Sequence, residues 1–299
     1  MTSILLTVAV ALVSAPGAQA DPGEQENPPS WGLDRIDQRD AATDGLYRYS
    51  TAADTVTAYV IDTGVDAKQP DFEGRVEPGK NFVDGTDNAS DGNGDGTRLA
   101  SILGGKDFGV AKKVHIVPVR VLDNTGSGRL TNILAGLDWV AKNAKQPSVA
   151  VLGIGGPPND ALDNAVRALT AVMPVAVPAG WAASDVSLSS PGRVAEALTV
   201  GASDSSNAIS PKSNTGPGID VFAPGVDIPS ATIGGAPTAS GTSMAAAFVA
   251  GAAALYRAVH PEATPAEVTE AIADRATPDV LTGVPQGTAN RLLCTVEDD

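Results

Sequence analysis

The sequence predicts an α/β fold in which a mostly parallel sheet carries helices on both faces. Three observations predict it. Runs rich in β-branched residues, from Thr55 to Ile61, Val114 to Val121 and Ser148 to Ile154, alternate with segments of helical period. Those runs are apolar at nearly every position, the mark of strands covered from two sides. The chain of 299 residues is long enough for one large domain with a sizeable core, and no linker-like stretch divides it.

In chain order, the first twenty residues carry no charged side chain, and the apolar run Ile4 to Val13 is followed by Ala18-Gln19-Ala20. This is expected to be a secretory signal peptide over 1–20, although the basic start is missing, since the run is too short to span a bilayer. Asp21 to Ser30 is Pro-rich and acidic and is expected to be flexible. The domain is then expected over 31–299. Thr55 to Ile61 reads as a buried strand that delivers Asp62 at its C-terminal edge.

Asp84 to Asp95 is a Gly/Asp/Asn loop. Between the next two strands, Leu130, Ile133, Leu134, Leu137 and Val140 recur at helical spacing, so this unit is βαβ. Leu162, Val166 and Leu169 share a second helical face ahead of the strand Val175 to Val177. Ser240 to Gly251 (SGTSMAAAFVAG) places Ser243 after a glycine turn at the start of an Ala-rich helix, where unpaired N–H groups favour developing negative charge. Near the end, Thr264-Pro265-Ala266-Glu267 combines an N-cap, a first-turn proline and a capping-box glutamate.

The 35 acidic and 20 basic residues give a net charge of −15, which argues against nucleic acid or an anionic membrane as partner. A single cysteine, Cys294, excludes an intrachain disulfide.

Three blocks carry chemistry: Asp62-Thr63-Gly64, the loop Asp91 to Arg98, and Gly241-Thr242-Ser243. In this order they resemble the subtilisin-like serine peptidases, most closely the proteinase K-like bacterial branch. Asn27 to Arg39, Val117 to Leu122, Gly126 to Gly128, Thr199 to Ser203 and Phe222 to Gly225 extend the resemblance over nearly everything after residue 26. It implies a subtilisin-like three-layer fold. It also implies Ser243 as the nucleophile and Asp62 as the group that orients the base. The residues from 21 to 30 are too few for the folding prodomain of secreted members, so self-processing is not expected.

Against that pattern the base is missing. The family reads G-H-G-T-H where this chain reads Gly94-Asp95-Gly96-Thr97-Arg98, so Asp95 stands in the place of the catalytic histidine. The two histidines, His115 and His260, fall in no matching block. The oxyanion asparagine of the A-A-G-N segment is Trp181 here, and Ala247 and Phe248 replace the usual proline and histidine. Loss of the base from such a triad costs about 10⁶ in turnover, and loss of one oxyanion donor about 10²–10³. Ordinary peptidase activity is therefore not expected, and a pseudopeptidase is. The alternative is a weak or acid-active serine hydrolase using Ser243 with Asp95 as base, as the related sedolisins use a glutamate there. Asp62 and Asp95 would then repel each other and one carboxyl would rise.

The parts that hold a ligand follow the family more closely. The resemblance implies an extended peptide laid between Gly126-Ser127-Gly128 and Gly153-Ile154-Gly155-Gly156 as an added strand. It also implies a structural calcium held by Asp220 with the carbonyls of Ala195 and Ala197. From spacing alone, Asp91, Asn93, Asp95 and Gly96 fit positions one, three, five and six of a calcium loop, but position twelve is Ile102. A third reading is thus a structural calcium-binding secreted domain. The expected partner is a peptide or protein, and the expected state a secreted, extracellular monomer.

Overall fold

The computed structural model describes residues 22–235 and 237–296; the leader expected over 1–20 lies outside them. The strands are β1 Gly23–Glu26, β2 Leu46–Tyr49, β3 Thr57–Asp62, β4 Lys80–Asn81, β5 His115–Arg120, β6 Ser148–Leu152 and β7 Val175–Pro178. They continue with β8 Leu198–Ser203, β9 Val221–Pro224, β10 Ile228–Pro229, β11 Thr238–Ala239, β12 Thr277–Pro278 and β13 Arg291–Leu292. The helices are α1 Trp31–Ile36, α2 Asp95–Gly104, α3 Leu130–Asn143, α4 Asp160–Thr170, α5 Thr242–Val259 and α6 Pro265–Arg275.

Nine strands form the main sheet in the order β12-β13-β9-β8-β7-β6-β3-β5-β4. All neighbours from β13 to β4 are parallel, and β12 alone runs antiparallel. Period-2 alternation divides each strand between two cores. Ala58 and Val60 of β3, with Val149 and Val151 of β6, pack beneath α2, α5 and α6. Tyr59 and Ile61, with Ala150 and Leu152, pack on the other face against Ile133, Leu137 and Val140 of α3 and Leu162, Val166 and Leu169 of α4. Both faces being covered explains the near-continuous apolar runs.

Helix α5 is buried almost all round, among α2, α6 and strands β6 to β9. Its alanines and Gly251 allow that close approach: a Cβ at Gly251 would lie 2.6 Å from Val110 Cβ. Its length and hydropathy would suffice to cross a membrane, and burial in the core accounts for them. The capping box at Thr264 forms as its sequence requires, with Glu267 N–H on the hydroxyl and the Glu267 carboxylate on Thr264 N–H.

Two expectations differ from the structure. Within the segment expected to be flexible, β1 pairs antiparallel with β2, Gly23 opposite Tyr49 and Glu26 opposite Leu46, and Arg48 reaches Glu24 at 3.0 Å. Backbone pairing over Gly23–Glu26 outweighs the segment's polar, Pro-rich composition. The calcium-loop spacing from Asp91 does not form a loop either, because the chain turns helical at Asp95 and Ile102 is buried inside α2. The sequence pattern does not announce α2, whose first turn is Asp-Gly-Thr and follows a glycine-rich stretch.

Candidate active site

Asp62 ends β3 with 1 % of its surface exposed. Its backbone carbonyl takes the N–H groups of Val121 and Leu122, which fixes the strand end against the segment after β5. One carboxylate oxygen accepts Thr63 N–H at 2.6 Å. The other lies directly under Gly153, where a Cβ would meet it at 1.9 Å. Only glycine fits there. Burial pushes the Asp62 carboxyl up to about 7, with the charge of Asp95 adding to the rise.

Asp95 is placed beside Asp62 by the segment Asp91 to Thr97. Thr63 Oγ1 donates to Asp91 at 2.9 Å and accepts Gly96 N–H at 3.0 Å. Asp91 also takes the N–H groups of Asn93, Gly94 and Thr97 and the Thr97 hydroxyl. With five donors on two oxygens, Asp91 is a rivet between β3 and α2, which is what its motif position supplies in place of metal ligation. Asp95 is exposed on one side, and its packing on the other raises its carboxyl against the lowering influence of Arg98.

Ser243 is the second residue of α5 and is half-buried. Gly241 N–H donates to Gly225 O at 2.8 Å, and Gly225 N–H to Ser203 O, so the helix start is tied to the ends of β8 and β9. Among the described residues no side chain hydrogen-bonds the Ser243 hydroxyl. Neither histidine is near. His115 pairs with Glu77 at 3.1 Å, and it begins β5, whose last residue, Arg120, is opposite Asp62; five residues of strand separate them, about 16 Å. His260 caps the far end of α5 and stacks on Tyr256 at 4.4 Å. Seventeen residues of helix put it about 25 Å from Ser243.

Ser243 opens onto a cavity of about 570 Å³ lined by Gly153, Gly155, Gly156, Trp181, Asn214 and Thr242 among others, none of them charged. The wall from Ala179 to Ser184 is held by Asn214. Its Oδ1 accepts Ala182 N–H at 3.0 Å and Ser184 N–H at 3.1 Å, and its Nδ2 donates to Ala179 O at 2.9 Å. Trp181 stands on this wall, partly packed on the core that holds α5.

Ser243, Trp181, Gly153, Gly155 and Gly156 line one cavity, Asp62 lies directly beneath its Gly153, and the charge of Asp95 is close enough to Asp62 to raise its carboxyl. Ile154 points into the core, 7 % exposed. Gly126, Ser127 and Gly128 form an exposed turn built on Asp123. That turn does not line the cavity but adjoins the Asp91 loop through Asn93 Nδ2 and Asn124 O, 3.2 Å apart. Ala195, Ala197 and Asp220 lie elsewhere, before β8 and β9, where Asp220 Oδ2 accepts Thr199 N–H at 2.7 Å. Burial pushes the Asp220 carboxyl up to about 6. Asn214 is the residue the motifs miss, since an asparagine in a Gly/Pro-rich loop carries no spacing signal.

The sequence profile of the Subtilase family matches residues 54–292. The chain belongs to the subtilase family. Among subtilases and other relatives, it is 46% identical over 270 residues to the alkaline serine exoprotease A of Vibrio alginolyticus, covering 90% of this chain and 50% of that protein. It is 44% identical over 274 residues to an extracellular serine proteinase of Thermus sp. strain Rt41A, covering 90% and 67% respectively. The chain therefore spans half to two thirds of the length of these two. A crystal structure of a cold-adapted subtilisin-like serine proteinase superposes with a TM-score of 0.87 at 44% identity, over 90% of this chain and 98% of that one. The subtilase fold implied by the motifs is the fold observed.

Proposed function

We propose that this subtilase is a secreted pseudopeptidase: it binds a peptide or protein segment in the cleft beside Ser243 and does not turn it over. The distance of both histidines from Ser243 carries this reading. A serine hydroxyl needs a base in hydrogen-bond reach, and among the described residues no side chain bonds that of Ser243, while Asp62, beneath the Gly153 wall, is buried with its carboxyl raised to about 7. Trp181 in the oxyanion position removes a second contribution, because an indole has one N–H on a ring too large to replace a carboxamide.

Ligand binding is supported by the uncharged cavity and by the backbone-rich walls on either side of it, which suit an added strand. Export is supported by the leader-like start of the sequence and by the extracellular relative from Thermus. A structural calcium at Asp220 with the Ala195 and Ala197 carbonyls fits a carboxyl that burial has raised and that backbone hydrogen bonding only half satisfies. The ion would tie the approach to β8 to that of β9 and take no part in bond cleavage.

A second reading has one observation in its favour. A carboxyl near 7 is poised to accept a proton at neutral pH, so a weak hydrolase working through the Asp62–Asp95 pair is the competing proposal. Hydrolysis of an unfolded protein substrate from acid to alkaline pH separates the two. The pseudopeptidase reading expects a silent native chain and Ser243-dependent cleavage by the Asp95→His, Trp181→Asn double variant. Cleavage by the native chain that Ser243→Ala abolishes would overturn it.

A further inference from the structure

We propose that the N-terminal strand β1 is a strap that opens from the body while the rest stays folded, and that Gln25 is the latch that closes it. No residue of β1 lines the cavity beside Ser243, so the strap does not depend on what binds there.

The residues of β1, Gly-Glu-Gln-Glu, include no apolar side chain, and none of them belongs to a hydrophobic core. The strand pairs with β2 alone. A segment with so little buried apolar surface lies at the low end of the range of local opening. The packed body begins at α1, where Leu33 and Ile36 are fully buried. Between strand and helix, Asn27 takes a φ of +47° and is followed by Pro28 and Pro29, whose rings fix φ. One left-handed residue and two stiff ones make the hinge on which β1 swings as a unit.

What holds the strap is polar and centred on one side chain. Gln25 Oε1 accepts Lys112 Nζ at 2.5 Å, and Gln25 Nε2 donates to Asp107 O at 3.0 Å. Both partners belong to the body, between α2 and β5. Lys112 is 7 % exposed, and its ammonium lies 5.2 Å from the centre of the Tyr47 ring. That ring is fixed in turn by its hydroxyl, which donates to Val110 O at 2.8 Å. Burial brings the Lys112 amine down to about 8, with Asp71 and Asp107 opposing the fall and Arg75 adding to it, so it is charged at pH 7. A buried ammonium needs acceptors. The carbonyl of Asp107 is 3.4 Å away, which leaves the Gln25 amide as the close one. The other tie, Arg48 to Glu24, joins side chains that are each nearly half exposed and contributes little. Beside the strap is a groove of about 690 Å³, lined by Pro22, Gly23 and Glu24 and, from the body, by Tyr49, Thr295 and Val296. Opening therefore uncovers the edge of β2, the Lys112 amine and this groove together.

Native-state hydrogen exchange on the full chain at pH 7 tests the strap. The amides of 23–27 are expected to exchange through an opening that low urea does not promote, while those of β3 follow global unfolding. Gln25→Ala should speed exchange over 23–27 by about 10- to 100-fold, the loss of a hydrogen bond to a charged group, and leave β3 and the melting temperature unchanged. Lys112→Met should do the same over 23–27, and the Gln25→Ala, Lys112→Met double variant no more than either alone. Equal exchange over 23–27 in Gln25→Ala and the native chain, or effects that add in the double variant, would overturn the latch. Acceleration that reaches β3 to the same extent would overturn the strap. Should Lys112→Met fail to melt cooperatively, Gln25→Glu decides, since it keeps an acceptor for the ammonium. Protection over 23–27 should then stay closer to the native chain than to Gln25→Ala, and a loss equal to that of Gln25→Ala would refute the latch.

Discussion

The Thr242 hydroxyl accepts the Gly180 N–H at 3.2 Å, so the residue before the candidate nucleophile is fastened to the residue before Trp181. Position 180 is tightly constrained. Its φ of +111° is a backbone conformation that side chains rarely adopt, and a Cβ there would lie 2.3 Å from Asn214 Nδ2. Gly180→Ala is expected to cost about 1–3 kcal/mol of stability through strain and overpacking. Denaturant titration measures the loss, and an unchanged midpoint would contradict it.

Asn214 is expected to matter more than its place in a loop suggests. Asn214→Ala leaves the N–H groups of Ala182 and Ser184 and the Ala179 carbonyl without their partner, at a site 2 % exposed. Roughly 2–4 kcal/mol of stability should be lost, together with peptide affinity, since the wall bearing Trp181 is no longer fixed. Asn214→Asp should recover part of the stability, because its oxygens still accept both N–H groups.

Asp62 makes the folded state sensitive to pH. Its carboxyl is raised in the folded chain from 3.8 to about 7. The stabilising contribution is therefore complete below the unfolded value and is lost as pH rises through the folded one. Asp37 and Asp220, both raised to about 6, act in the same direction. Asp62→Asn keeps the acceptor for Thr63 N–H and removes the charge. It is expected to be more stable than the native chain at pH 8 by roughly 2–4 kcal/mol and to lose that advantage near pH 4. Melting curves with chelator present, across that range, measure it.

Gly153→Ala should strike the same carboxyl from above, because its Cβ would fall 1.9 Å from Asp62 Oδ2. Substituting Asp62→Ala in the Gly153→Ala background is expected to recover much of the loss, a coupling that a double-mutant cycle reads directly. Additive effects would mean that the two residues do not share the space.

Calcium at Asp220 makes a separate prediction. Chelation should lower the melting temperature of the native chain, and Asp220→Asn should melt at the lower temperature with or without calcium. Equal sensitivity in both chains would place any bound ion elsewhere.

Much of this was legible in the residues. The strands β3, β5, β6 and β7 follow from apolar runs, and α3, α4 and α6 from helical spacing and a capping box, because burial on two faces or one imposes those patterns. Motif order also anticipates that Ser243 and Trp181 line one cavity and that Asp62 lies beneath its Gly153 with Asp95 nearby. What local pattern could not supply was long-range. The strand at Gly23–Glu26 exists because Leu46–Tyr49 pairs with it. Asp91 looked like a cation ligand until Thr63, Asn93, Gly94 and Thr97 were seen to occupy its oxygens. The role of Asn214 depends on residues 30 or more positions away.

The burial of α5 has a consequence for which parts of this machinery could change. Thr242 is 2 % exposed and Asp62 1 %, so the mounting of the candidate nucleophile and the candidate orienting acid are embedded in the packing that keeps the chain folded. Asp95 is exposed, and Trp181 is partly exposed on the cavity wall. Substitutions are expected to cost more stability at Thr242 and Asp62 than at Asp95 and Trp181, the two positions where the proposed function places the departures from the family pattern. Packing thus holds Asp62 and Thr242 in place, whereas Ser243 is half-buried with a hydroxyl that no side chain among the described residues bonds.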